Sequence, residues 1–313
     1  MACTIIRPKD RQEWLHLRGF GIGSSEVGTI LGVNPWETPL QLWRRKMGID
    51  PPKEENFAMR AGHYLEDAVS KFFADETDAQ IIKSSAGDWL MVDTDKPYLR
   101  VSPDRTFWLP TDKHNEENKG ILECKTTRMS VDGDYLPKSW YCQLQYQLHV
   151  SGYKHGALAW LVHGSTFDYR KVTYDANFCG WMIEEVDKFW HDNILGKQEP
   201  APITAEDVIL QSPSHTIGKT IVATDELLQH LSRLRALRDD IKTNEGEAKE
   251  IEDALKIAMG DAEALTHAGN TLVTWKASRE TKKFDSKRFA DEHPDMYNDY
   301  TTTQPGSRRF LIK

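Results

Sequence analysis

The spacing of apolar positions changes along the chain, and the changes divide it. From residue 11 to residue 48, short helix-like stretches are cut by glycine. RQEWLHLRG stops at Gly19, a tight GIGSSE segment follows, and EVGTILG reads as a short helix capped by Ser24 or Ser25 and ended by Gly32. TPLQLWRRKMG predicts a further helix, with Thr38 as N-cap, Pro39 at the first position and Gly48 at the end. Residues 58–76 place Leu65, Val69, Phe72 and Phe73 at helical spacing.

The pattern then shortens. AQIIKSS, DWLMVDT, YLRVSPDRTFWL and GILECKTT are runs of strand-forming residues separated by Gly, Pro and Asp, and they predict an antiparallel meander ending on ILECK. A helix is expected from about Ser139 to Val150, ending at Gly152. HGALAWLVHG and FDYRKVTY follow as paired strands, and NFCGWMIEEVDKFWHDNILG as an amphipathic helix carrying Trp181, Val186, Phe189 and Trp190. Residues 197–220 are rich in Pro, Ser and Gln and read as a linker. Beyond it, Leu227, Leu231, Leu234 and Ile241, then Ile251, Leu255 and Met259, predict a helical hairpin turning at Gly246. Too few clean heptads are present for a sustained coiled coil. NTLVTWKAS and SRRFLIK read as strands. The expected organisation is a core over residues 1–200 and a C-terminal appendage over 201–313, helical hairpin plus strands.

Composition narrows the classes. Over 313 residues, 39% are hydrophobic and 28% charged, and mean hydropathy is −0.60, as in soluble globular proteins. No apolar run approaches the roughly 20 residues of a membrane helix. The N-terminus lacks the apolar stretch of a secretory signal. The cysteines, Cys3, Cys124, Cys142 and Cys179, are dispersed with no CxxC pair. That pattern speaks against a zinc site, an iron–sulfur cluster or a disulfide framework and predicts reduced thiols in a cytoplasmic protein.

Charge at first argues against nucleic acid: the net is −8 and the pI about 5.8, where most DNA binders carry a basic footprint. The average conceals unlike parts. Residues 225–263 hold 11 Asp/Glu and 6 Lys/Arg, whereas residues 275–313 hold 9 Lys/Arg and 6 Asp/Glu. Arg18, Arg44, Arg45 and Lys46 cluster around the glycine-rich segment. Acidity therefore predicts localised phosphate contact with modest salt dependence.

The candidate chemistry lies in the strands. Asp104 ends one strand in SPD, and Glu123 and Lys125 lie in LECK on the next. Period-2 alternation puts Glu123 and Lys125 on one face and Cys124 on the other. Asp104 and Glu123 would form a hard oxygen site for Mg²⁺, with Mn²⁺ as an alternative. Glu66 on the preceding helix could supply a third carboxylate, and the Cys124 backbone carbonyl a further ligand. A lysine beside them can orient or deprotonate water, or offset developing phosphorane charge. Upstream, Ser25 sits at an expected helix N-terminus behind Gly21 and Gly23, an anion site to which Arg18 could add a bidentate contact. Ser24, Ser102 and Arg105 are further phosphate or DNA candidates. Trp36, in NPWETP, is the candidate for stacking on a base.

These pieces occur in one order: R18-GFGIGSSEVGTILG, G62-HYLE66, S102-PD104, L122-ECK125-TT and Q143-LQYQL. Together, over roughly residues 10–195, they resemble the YqaJ-type viral recombinase family, which is similar to phage lambda exonuclease and belongs to the PD-(D/E)xK nuclease superfamily. The resemblance implies an α/β (α+β), restriction-endonuclease-like core with a mixed central sheet flanked by helices. It implies a Mg²⁺-dependent 5′-to-3′ exonuclease acting on double-stranded DNA ends with a 5′-phosphate. The product would be a 3′ overhang for a single-strand annealing partner, and a homo-oligomer, plausibly a trimeric ring, would do the work.

By the same resemblance Asp104 and Glu123 bind metal, Glu66 assists, Lys125 activates or positions water, and Gln143 lies near the catalytic centre. Arg18 and Ser25 hold the terminal phosphate. Arg105 replaces the glycine usual after Pro-Asp. It would be strained if that turn needs positive φ; alternatively it continues the strand. Gln143 and Gln145 compete for one role but cannot face the same way on a helix, and Gln143 is preferred. The alternatives are a sequence-specific endonuclease on the same core and a catalytically inactive DNA-binding or assembly protein. The complete D…ExK set argues against the latter.

Overall fold

A computed structural model describes residues 3–83, 89–112, 115–131, 135–304 and 306–312. Ser84, Ser85, Asp88 and Lys313, at the ends of predicted strands, lie outside the described residues. The chain divides into two compact units, Met1–Ser212 and Pro213–Lys313.

The first unit runs β1 (Cys3–Ile6), α1 (Arg11–Gly19), β2 (Ile22–Gly23), α2 (Ser24–Ile30), α3 (Pro39–Lys46), α4 (Phe57–Thr77), β3 (Gln80–Lys83), β4 (Leu90–Asp93), β5 (Leu99–Val101), β6 (Arg105–Trp108) and β7 (Gly120–Thr127). It continues through α5 (Lys138–Ser151), β8 (His155–Val162), β9 (Thr166–Thr173) and α6 (Ala176–Lys188), a wider π-helical stretch at Phe189–Leu195, and α7 (Ala205–Gln211). Both sheets are mixed, and helices flank them. The larger has the order β3-β6-β7-β8-β9, and the smaller β1-β4-β5-β2.

The predicted single meander is instead split between the two sheets. β5 pairs antiparallel with β4, whereas β6 pairs antiparallel with β3 and β7. The break is Ser102-Pro103-Asp104. A proline has no N–H for a ladder, so the chain leaves one sheet there and enters the other.

β7 and β8 are parallel, Glu123 opposite Leu158, because α5 makes the crossover between them. Alternation along β7 then sorts its side chains. Leu122 and Cys124 join Val69 and Phe73 of α4 in one apolar cluster. Ile121 joins Leu144 and Leu148 of α5 in another. A third cluster gathers Cys142, Tyr146 and Val150 of α5 with Ile22, Val27, Leu99 and Met182. Thus α5 is packed on several sides at once, and Gly152, at φ 75°, ends it in a left-handed cap. All cysteines are free thiols.

The linker's first half belongs to this unit. Asp207 of α7 accepts from Thr38 Oγ1 at 2.6 Å and from the Ile203 N–H at 3.0 Å, so the unit extends to Ser212 rather than ending near residue 200.

The second unit contains α8 (Asp225–Met259), the antiparallel pair β10 (Ala264–His267) and β11 (Asn270–Thr274), α9 (Ser286–Glu292) and α10 (Pro294–Asp299). The expected hairpin is one continuous 35-residue helix. Gly246 does not adopt positive φ, and its Glu-rich and Lys-rich neighbours are good helix formers that outweigh one glycine. The segment SRRFLIK forms no strand among its described residues. No described helix is long and apolar enough to cross a membrane.

Apart from its own turn of helix, a Cβ at Gly246 would meet no atom within 4 Å among the described residues. Gly246→Ala should therefore stabilise α8 by about 0.5–1 kcal/mol. Thermal unfolding followed by far-UV circular dichroism checks this, since a turn at that position would make the same change destabilising.

Candidate active site

Glu123 is the centre of the site. It is 2% exposed, on the face of β7 toward α5. Its Oε1 accepts from Lys125 Nζ at 2.7 Å and from Gln143 Nε2. Gln143 Oε1 in turn accepts from Lys125 Nζ at 2.8 Å, closing a triangle. Burial alone would lower the Lys125 pKa, but attraction to Glu123 and Asp104 outweighs it and raises it above the ordinary lysine value. Lys125 therefore stands in this structure as an ammonium that donates.

Asp104 reaches the same place from the break between β5 and β6. The ladder from β6 to β7 ends at Arg105 opposite Leu122, which leaves the Cys124 N–H open on that edge. Asp104 Oδ2 accepts it at 2.8 Å. In a strand, the N–H and C=O of one residue point to the same side, so the Cys124 carbonyl faces Asp104 as well. Desolvation, then repulsion from Glu123 and Glu66, holds the Asp104 pKa well above the ordinary carboxylate range. Glu66 lies on α4, and its Oε1 contacts His63 Nδ1 at 3.0 Å. Burial, followed by Asp104 and Glu123, likewise pushes the Cys124 thiol far up, leaving it an inert core group.

Among the described residues, no three of the His, Cys, Asp and Glu side chains stand in ready ligand positions. The oxygens of Glu123 are turned to Lys125, Gln143 and Gln147. The donor set nonetheless fits a hard divalent cation. Carboxylates crowd one another enough to disfavour ionisation of Asp104, and a bound cation would relieve that repulsion.

The second group lies at α2. Arg18 Nη2 donates to Ser25 Oγ at 2.6 Å, and its guanidinium lies over the Trp14 ring, 5.0 Å from the centroid. Burial lowers the Arg18 pKa, partly offset by Glu26 and, more weakly, Glu123, so the arginine and the central carboxylate share one electrostatic neighbourhood. The cap of α2 is Gly23, not a serine. Glu26 Oε2 accepts the Gly23 N–H at 2.8 Å, and Ser24 and Ser25 occupy the first turn.

Several expected contacts prove internal. Arg105 begins β6, is buried, and pairs with Asp67 of α4 at 3.0 Å. Its φ is not positive, so it continues the strand without strain, and it is not a surface DNA contact. Ser102 Oγ donates to the Trp89 carbonyl at 2.8 Å and accepts from Trp14 Nε1 at 3.0 Å, which engages its hydroxyl within the fold. Three members of the basic cluster are already paired: Arg44 with Asp50, Arg45 with Glu37, and Lys46 with buried Glu26 at 2.9 Å. Burial acts to raise the Glu26 pKa, but Lys46 and Arg18 overcome it and hold it below the ordinary value. Trp36 is 78% exposed, on a loop whose Asn34 bonds Thr29 of α2.

Gln145 turns away from the site. Its amide donates to the Thr173 carbonyl and accepts the Asp175 N–H, bracing α5 to the chain after β9. The residue that sequence reasoning missed is Gln147. Its Nε2 donates to Glu123 Oε2 at 2.8 Å and to Ser24 Oγ at 3.3 Å. The signal was present, because Gln147 lies four residues after Gln143 and so on the same helical face.

Comparison with known proteins gives the family. Residues 13–154 match the family described as the YqaJ-like viral recombinase domain. The chain is 31% identical over 315 residues to the uncharacterized protein YqaJ of Bacillus subtilis (strain 168), covering 97% of this chain and 94% of that one. The chain belongs to the YqaJ-like viral recombinase family. Solved structures give more distant likenesses. An alkaline exonuclease (LHK-Exo) from Laribacter hongkongensis aligns at TM-score 0.44 and 15% identity, over 64% of this chain and 96% of that one. LHK-Exo in complex with dAMP aligns at 0.46 and 14%, with the same coverage. A phage-related exonuclease from Haemophilus somnus 129PT aligns at 0.39 and 12%, over 57% and 96%.

The raised Asp104 pKa carries a stability consequence. Its folded value exceeds the unfolded one of about 3.9, so ionised Asp104 opposes folding; the burden grows above the unfolded pKa and is complete above the folded one. Asp104→Asn keeps an acceptor for the Cys124 N–H and should raise the Tm by a few °C at pH 8. The gain should vanish near pH 3.5, and calorimetry at the two pH values checks it.

Proposed function

We propose that this chain is a divalent-metal-dependent deoxyribonuclease that resects linear duplex DNA from 5′-phosphorylated ends. It leaves a 3′ single strand for a partner annealing protein. One observation carries the reading: Asp104, Glu123, Lys125 and Gln143, brought from a strand break, a strand and a helix, meet around one buried carboxylate. Mg²⁺ is the proposed ion, with Mn²⁺ able to replace it. Asp104, Glu123 and the Cys124 carbonyl would hold it, with Glu66 assisting. When bound, such an ion polarises the phosphodiester and lowers the pKa of water.

The chain's own residues supply the rest. Hydrolysis forms a bond from a water oxygen to phosphorus and breaks the P–O3′ bond, with a proton passing to the 3′ oxygen. Lys125, as an ammonium, donates hydrogen bonds that fix the water or a phosphate oxygen and offset the charge that develops. Gln143 holds Lys125 in place. Arg18 and Ser25, already 2.6 Å apart, grip the terminal 5′-phosphate and set which phosphodiester lies at Glu123. Ser24 lines the same turn, and Trp36 offers a face for a displaced base. The proposed assembly is a ring of copies around the duplex in the cytoplasm, three by similarity to phage lambda exonuclease.

The test is nucleotide release from a 5′-phosphorylated linear duplex with Mg²⁺. Asp104→Ala and Lys125→Ala should each lower the rate by about a hundredfold or more. Arg18→Ala should reduce the preference for 5′-phosphate over 5′-hydroxyl ends by about tenfold. An inactive wild-type protein, or unchanged activity in Lys125→Ala, contradicts the proposal. Cutting of closed circular DNA at discrete sites would support an endonuclease instead.

A further inference from the structure

Gln147 lies inside α5 and has no accessible surface. Its two amide N–H groups go to different elements: one to Glu123 Oε2 of β7 at 2.8 Å, the other toward Ser24 Oγ of α2 at 3.3 Å. A carboxylate accepts and cannot donate, so Glu123 fixes which way the amide faces. The consequence is that Gln147 Oε1 points into the protein with no hydrogen-bond partner among the described residues. A buried acceptor left unpaired is uncommon in folded proteins and asks for an explanation.

Gln145, two residues earlier, shows what a merely structural glutamine does on this helix. Both ends of its amide are paired, one with the Thr173 carbonyl and one with the Asp175 N–H. Gln147 instead leaves its acceptor unpaired and directs its donors at Glu123 and Ser24. An apolar side chain of similar volume would remove this orphaned oxygen but would leave Glu123 Oε2 without its donor.

We propose that Gln147 is a positioning residue. It fixes the rotation of the Glu123 carboxylate, so that Oε1 remains with Lys125 and Gln143 while Oε2 is held back toward α2. It also ties that orientation to the turn of Ser24 and Ser25, where Arg18 waits for a terminal phosphate. Partners of ligating carboxylates that never touch the ion commonly change metal affinity or activity by about 10–100-fold. This inference rests on the proposed nuclease reading, since it assigns Gln147 a role through the carboxylate that reading places at the metal.

The experiment measures Ca²⁺ and Mn²⁺ binding to the full chain by calorimetry, without DNA, for wild type and Gln147→Met. The variant removes the orphaned acceptor but also takes the donor from the buried Glu123 Oε2, so its Tm should fall by a few °C while the chain stays folded. Its metal affinity should fall about tenfold. On a 5′-phosphorylated duplex its kcat should fall by a similar factor with little change in KM, because Arg18 and Ser25 remain. Gln147→Asn, too short to span Glu123 and Ser24, should show the same loss of affinity and decides the matter if Gln147→Met does not fold. A folded variant with wild-type metal affinity and kcat overturns the inference. A wild-type chain that neither binds metal nor degrades DNA overturns the nuclease reading itself.

Discussion

The first unit is organised around the burial of one carboxylate. Glu123 sits almost wholly inside the protein on β7, and its oxygens meet donors from Lys125, Gln143 and Gln147. An unpaired buried carboxylate is prohibitive, so those donors must be present together. This fixes the rotation of α5, since Gln143 and Gln147 must face β7 while Leu144 and Leu148 fill the adjoining core. It also fixes the register of β7 against β8. A one-residue slip would carry Glu123 into the apolar layer under α4, where Val69 and Phe73 pack.

Stability alone does not account for such a centre. Replacing a buried ion pair with apolar residues of similar volume is often neutral or stabilising by about 1–4 kcal/mol. Here the pair is also placed beside Asp104, whose carboxyl is pushed toward its neutral form. Repelling carboxylates held within reach of one ammonium are unfavourable for a resting fold and suited to gathering a cation. The same logic separates Glu123 from Glu26. Glu26 is buried too, but Lys46 and Arg18 more than offset its burial, and it closes the turn before α2 rather than adding to the crowding around Asp104.

Much of this was legible in the sequence, because local periodicity reports faces. Alternation along LECK put Glu123 and Lys125 on one face, and the helix boundaries followed from Thr38, Pro39, Gly19 and Gly152. Long-range pairing was not legible. Arg105 finds Asp67, 38 residues away, and so turns inward, while Lys46 finds Glu26 and is lost to the expected basic patch. Nothing local in either segment names its partner. Gly246 misled for another reason: glycine permits a turn without requiring one, and the helix formers around it carry α8 straight through. Gln147 was overlooked although its spacing from Gln143 is a local signal. Its burial, which only the packing of α5 reveals, is what gives that spacing meaning.

In the proposed nuclease the buried carboxylates form a cation site whose resting occupant is the ammonium of Lys125. Diffraction from crystals of the protein soaked in Mn²⁺, measured at a wavelength where manganese scatters anomalously, tests it directly. A manganese peak is expected between Asp104 and Glu123, with the Lys125 Nζ displaced from Glu123 Oε1. Strong manganese sites elsewhere, with none between these two carboxylates and the Lys125–Glu123 pair intact, would contradict it.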